Sequence, residues 1–287
     1  MIAFYGMGLL GSGFVRALRK RGETVHVWNR STEKATALEA DGAQAFVNPA
    51  EAAKGAGQVH LTLSDDAAVD AVLECIRPGL AGGTVIVDHT TTSVKGARDR
   101  SAKWKDRGFE YLHAPVFMGP QNALEGTGVM MTSGDPGLVE RLTPSLEKMT
   151  GKLVNLGPEA GRAASFKLMG NLFLMFFTGG LAEVLTLAKA LDVKPEDAAE
   201  LFGFFNPAHT LAPRLQRMID HTYESPSWEL SMARKDARLM IEAGYAGGAP
   251  LPMLPTIAAT MDRFIDRGHG HHDWTVIAKD AVQPRAK

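Results

Sequence analysis

Cysteine is almost missing from this chain. Cys75 is the only one in 287 residues, so no disulfide can close within it and no cysteine cluster can hold a metal. No block of Lys and Arg stands out and the formal net charge is −1, which argues against nucleic acid or an anionic membrane surface as a partner. Repeats and low-complexity segments are also missing. The opening "MIAFYGMG" has no basic segment followed by a long apolar one, so no signal peptide is expected, and with the lone cysteine this points to a cytoplasmic protein. The uncharged apolar run from Leu168 to Ala182 is shorter than the ~18 residues a membrane span needs. It reads as a buried core helix. With 45% hydrophobic and 22% charged residues, the chain is globular and long enough for two domains.

The first half alternates β-branched runs with helical patterns. Strands are expected at 2–6, 25–28, 59–64, 84–90, 110–116 and 129–133. Gly22 would close one helix, and Asn48 with Pro49 would open another. Such alternation predicts a mainly parallel, doubly wound sheet with right-handed crossovers, a Rossmann-type α/β domain over 1–158. From Ala160 only helical periodicity is found, with breaks expected at Pro195, Pro207, Pro213, Pro226 and 247–252. The expectation for 159–287 is an all-helical domain that serves substrate binding and dimerisation.

"FYGMGLLGSG" places Gly6, Gly8 and Gly11 directly after a strand and before a helix. The first glycine suits a tight turn, the second lets the backbone approach a pyrophosphate, and the third lets the helix pack on the sheet. The loop residues Met7, Leu9 and Leu10 join them as candidate dinucleotide contacts, as do Leu63 and Ser64 at the end of a later strand. The second strand ends "VWNRS". A cofactor with a free ribose 2′-hydroxyl would favour Asp or Glu there. Asn29 is neutral and Arg30 is a cation suited to a 2′-phosphate, with Ser31 as a further donor, so NADP(H) is expected.

Assembled in order, these stretches resemble the β-hydroxyacid dehydrogenase family, which includes 3-hydroxyisobutyrate dehydrogenases and glyoxylate or succinic-semialdehyde reductases. "DHTTTS" (88–93) resembles the family's D-x-S-T segment, with Thr91 at the position that approaches the nicotinamide. "APVFMGPQNALEGTGVMMTSG" (114–134) resembles its substrate loop, "GRAASFKLMGN" (161–171) its catalytic helix, "RKDARLM" (234–240) its K-D-x-x-L-A segment, and "GHGHHDWT" its closing element. The resemblance implies Lys167 and Asn171 as catalytic and substrate-binding residues, and Lys235 as a cofactor contact. The family's Ser-Gly-Gly is replaced by Phe117, Met118 and Gly119. A phenylalanine cannot hold a substrate carboxylate as a serine hydroxyl does, although backbone N–H groups could.

Reduction of a carbonyl needs a proton at oxygen, and an ammonium in reach can supply it while stabilising developing alkoxide charge. Asn171 lies one helical turn from Lys167. Apolar surroundings would favour the neutral amine and ease proton exchange. Imine reductases share this architecture, but typically carry an acid or a tyrosine in place of the lysine. No metal is expected, since adjacent histidines in "HGHHD" cannot readily share one ion on a regular element. The expectation is an NADP(H)-dependent oxidoreductase, a homodimer or homotetramer, acting on a small carbonyl or hydroxy substrate at a cleft between domains. An imine reductase-like activity and a catalytically silent NADP-binding regulatory protein are the alternatives.

Overall fold

A computed structural model describes residues 1–283. The chain falls into two compact units that divide after Leu172. The first holds nine strands: β1 (Ile2–Tyr5), β2 (Val25–Trp28), β3 (Gln44–Ala45), β4 (Gln58–Leu61), β5 (Val85–Asp88), β6 (Glu110–His113), β7 (Val116–Phe117), β8 (Val129–Thr132) and β9 (Lys152–Asn155). Its helices are α1 (Leu9–Lys20), α2 (Thr32–Thr36), α3 (Pro49–Ala53), α4 (Asp66–Ile76), α5 (Val94–Asp106), α6 (Pro120–Glu125) and α7 (Pro136–Leu146). Helix α8 (Arg162–Ala190) runs through the division, and α9 (Pro195–Phe204), α10 (Leu211–Ile219), α11 (Leu230–Ala246) and α12 (Leu254–Phe264) follow.

Six strands form one parallel sheet in the order β3-β2-β1-β4-β5-β6. Strand alternation sends Phe4, Val27, Val87 and Leu112 into one buried cluster and Tyr5, Leu61, Ile86 and Tyr111 into another. Both sheet faces are therefore covered, which is why these strands read as near-continuous apolar runs. The order reverses at β1 and β4, the point where a doubly wound sheet opens a crevice at its strand ends. Asn48 caps α3 through the N–H of Ala50, with Pro49 in the first turn, as the sequence implied.

Two expectations are corrected here. The stretches 110–116 and 129–133 do not all extend the main sheet. Chain direction changes after β6, and β7, β8 and β9 form a separate three-stranded sheet. Pro213 breaks nothing, because it lies in the first turn of α10, where its missing N–H has no intrahelical partner to lose.

The second unit is helical, with a core of Tyr223, Leu230, Ala237, Met261, Phe264 and Val276. Fully buried Asp273 organises its end. It accepts from Ser227 N at 2.9 Å and Thr275 Oγ1 at 2.7 Å, and pairs with Arg217. Burial opposes its charge, but the Thr275 and Ser227 bonds outweigh this and hold its carboxyl well below the usual range.

Helix α8 departs from the buried-helix expectation. It continues unbroken past Glu183, and by length and composition it is long and apolar enough to cross a membrane, although the charge-free run alone was too short. An 18-residue stretch of it has a mean hydropathy of 1.6, and none of that stretch is buried. Met169, Leu172, Met175 and Phe176 are all more than half exposed.

Candidate active site

The three glycines of the β1–α1 loop differ in what surrounds them. Gly6 has φ +95°, and a Cβ there would lie 2.1 Å from the Thr62 carbonyl oxygen. A Cβ on Gly11 would lie 2.0 Å from the Gly6 oxygen. These two allow the turn and the close packing of α1 on β1 and β4. A Cβ on Gly8 would meet nothing within 4 Å. Gly8 is also the N-cap of α1, with no side-chain cap and no acidic residue in the first turn. The first N–H groups of a twelve-residue helix thus face open space, which fits a pyrophosphate.

Asn29 has a second task. Its Oδ1 accepts from Met7 N at 2.9 Å, and its Nδ2 donates to Ser31 O at 2.9 Å. The amide ties the glycine loop to the end of β2 and leaves only part of its capacity for a ligand. Arg30 and Ser31 are exposed beside it. Lys34 escaped the sequence reading. It lines a cavity of about 470 Å³ with Met7, Gly8 and Leu9. Its signal was its place one turn beyond Arg30.

A second cavity, of about 380 Å³, adjoins the same loop. Gly8, Leu9, Leu10 and Gly11 line it together with Leu63, Ser64, Thr91, Met118 and Lys167, whereas Phe117 and Gly119, expected beside Met118, do not. Thr62, His89, Thr90 and Val116 also line it and were missed. Loop 89–93 is pinned from both ends. Leu63 N donates to Thr90 Oγ1 at 2.9 Å, Thr90 N to Asp88 Oδ1 at 2.9 Å, and Ser93 N to Asp66 Oδ2 at 2.8 Å. Behind it, Tyr111 donates to Asp88 at 2.6 Å and Arg100 reaches both Tyr111 and Asp66. Thr91 stands exposed at the apex of this braced loop.

His89 is the other ionisable group of this cavity, and both of its ring nitrogens are engaged. Its Nδ1 lies 2.8 Å from Ala114 O, a carbonyl that can only accept, so Nδ1 carries the hydrogen. Its Nε2 then accepts from His60 Nδ1 at 2.9 Å. Burial lowers the His89 imidazole to about 4 and lowers His60 as well, so both are neutral near pH 7.

Lys167 is held differently. Ala163 N donates to Ser133 Oγ at 2.9 Å, which anchors the start of α8 beside the end of β8. One turn on, half-buried Lys167 enters the cavity. Burial lowers its pKa below the usual lysine value, as the apolar setting implied. Its Nζ lies 4.4 Å from the centre of the Phe117 ring. Asn171 follows one turn along the same helix but does not line this cavity. Gly119 cannot offer its N–H to a substrate, because Asn122 Oδ1 takes it at 2.9 Å. Lys235 lies in the second unit, exposed on α11 and paired with Asp236 at 2.7 Å.

Comparison with known proteins agrees with this geometry. Residues 1–157 match the NAD binding domain of 6-phosphogluconate dehydrogenase. The chain is 26% identical over 282 residues to 2-(hydroxymethyl)glutarate dehydrogenase of Eubacterium barkeri, covering 97% of this chain and 93% of that one. It is 32% identical over 256 residues to the cytokine-like nuclear factor N-PAC of Homo sapiens, covering 88% of this chain but 46% of that longer protein. Among solved structures, the imine reductase from Myxococcus stipitatus in complex with NADP+ superposes with a TM-score of 0.90 at 20% identity, over 97% of this chain and 99% of that one. A reductive aminase from Aspergillus terreus in complex with NADPH4, cyclohexanone and allyl amine gives 0.87 at 21%, over 98% of this chain and 99% of that one. The parallel sheet, its open glycine loop and the family match together define a nicotinamide dinucleotide-binding protein. The chain belongs to the β-hydroxyacid dehydrogenase family and is an NAD(P)-dependent oxidoreductase.

Proposed function

We propose that this oxidoreductase uses NADP(H) to exchange a hydride with a small aldehyde, semialdehyde or β-hydroxyacid-type substrate, with Lys167 as the acid/base. One observation carries the reading. Of the two ionisable side chains lining the cavity of about 380 Å³, His89 has both nitrogens engaged, and Lys167 has no ion-pair partner among the described residues.

The open N-terminus of α1 holds the pyrophosphate, and Arg30, Ser31 and Lys34 meet the 2′-phosphate. Leu63, Ser64 and Thr91 flank the nicotinamide side, and the family resemblance adds Lys235. When bound, the nicotinamide supplies or accepts the hydride. The chain's own residues do the rest. Lys167 donates a proton to the carbonyl oxygen in reduction and takes it back in oxidation, and its charge stabilises the alkoxide as it forms. A lysine whose pKa is lowered toward neutrality exchanges that proton more readily than an ordinary one. Asn171, one turn away, orients the substrate oxygen. Val116 and Met118 limit water around the reacting atoms.

A second reading is imine reduction, and the apolar side chains of Phe117 and Met118 favour it, since neither offers a carboxylate anchor. Turnover of NADPH with a panel of semialdehydes, bulkier aldehydes and cyclic imines separates the readings. Activity on aldehydes supports the proposal. Activity on imines alone replaces it, and no turnover of either leaves a silent cofactor-binding protein.

The exposed apolar face of α8 supports assembly as a homodimer or larger. So apolar a helix must be covered on every side, and a second copy of the chain is the covering proposed.

A further inference from the structure

The Phe117 ring points its tip at the helix that carries Lys167. A Cβ added to Gly170 would fall 2.2 Å from Phe117 Cζ and 2.7 Å from Cε1. Only a residue without a side chain leaves room for the ring there. The same ring lies under the Lys167 amine, at 4.4 Å from its centroid, within the ~6 Å reach of a cation–π contact. Residues 117, 167 and 170 are thus one interlocked set: the gap at Gly170 seats the ring, and the ring's face receives the amine.

We infer that Phe117 is a positioning residue for the Lys167 amine, and that Gly170 is the notch that lets it act. The ring does for the amine what a carboxylate would otherwise do, holding it in one place, but at lower cost to proton release. A carboxylate partner would raise the affinity for the proton steeply, whereas an aromatic face favours the cation only modestly. No acidic side chain lines the cavity. The one other titratable group there, His89 on the loop after β5, is neutral, and the glycine loop, β4 and β7 contribute none. The replacement of a serine-type residue by phenylalanine therefore serves the proton donor as well as reshaping the substrate pocket.

The inference rests on the acid/base reading of Lys167, but its test does not need turnover. Competitive acylation of the full-length protein across pH, read on the peptide that contains Lys167, gives the amine's titration midpoint directly. Phe117→Leu keeps apolar bulk and loses the ring face. The midpoint should fall by about half to one and a half pH units, the worth of a cation–π contact. Phe117→Tyr adds a hydroxyl at the ring tip, where the notch has no spare room, so it should displace the ring and move the midpoint. Phe117→Ser admits water and should raise it. Gly170→Ala fills the notch and should move it as well. If Phe117→Leu does not fold, Gly170→Ala, which leaves Phe117 itself unchanged, decides. A midpoint indifferent to all four substitutions overturns the inference and leaves the acid/base reading intact. Normal turnover in Lys167→Ala would instead sink that reading while the titration still judged the ring.

Discussion

The main-chain N–H of Met7 donates to Asn29 Oδ1 at 2.9 Å, so the residue that ends β2 also holds the glycine loop in shape. In the proposed function, recognition of the 2′ position falls on Arg30, Ser31 and Lys34 beyond it. NADP(H) should bind more tightly than NAD(H). Arg30→Ala should narrow the preference by about tenfold or more, the scale of one charge-assisted bond to phosphate. Fluorescence or calorimetric titration of both cofactors measures this. Equal affinities in the unsubstituted protein would refute it.

The bare face of α8 carries the proposal of assembly. Light scattering at micromolar concentration, without detergent, should return the mass of a dimer or larger species. A monomer mass would mean that the apolar face of Leu172, Met175 and Phe176 has some other covering.

The substrate loop gives the third prediction. Phe117 stands at the serine position of the resembled family and the Gly119 N–H is taken by Asn122, so weak carboxylate anchoring is expected. The protein should prefer aldehydes with apolar substituents to glyoxylate, and Phe117→Ser should shift kcat/KM toward small semialdehyde acids. A native preference for glyoxylate that survives the substitution would contradict this.

Acid should destabilise the first unit through His89. Its folded value of about 4 lies below the usual 6.5, so between those values the unfolded chain binds a proton that the folded one does not. Stability from this group is complete above pH 6.5 and is lost as pH falls toward 4, by up to about 3 kcal/mol. The thermal midpoint should drop between pH 7.5 and pH 5. A flat profile over that range would show His89 charged or relaxed in the folded state.

Much of the fold was legible because its signals are local. Apolar runs such as Val85–Val87, and the spacing of Gly6, Gly8 and Gly11, mark the parallel sheet and its loop in single short stretches. Two-residue strands such as β3 and β7 carry no periodicity, so the separate three-stranded sheet was not visible. The site was half legible. Lys167 could be named from its motif, but the His60–His89 pair joins residues 29 apart, and the Phe117 seat depends on a glycine 53 positions away. The Asn29 tether was hidden for the same reason, since nothing in "VWNRS" says that its amide turns inward.

Lys167 is the residue on which the proposed chemistry depends. Steady-state kinetics of Lys167→Ala, with NADPH affinity measured separately, should show turnover reduced by about a hundredfold or more and cofactor affinity nearly unchanged. Lys167→Arg should rescue poorly, because a guanidinium keeps its proton at working pH, and Asn171→Ala should cost less than either. Near-normal turnover in Lys167→Ala, or a defect confined to NADPH binding, would contradict the proposed catalytic role.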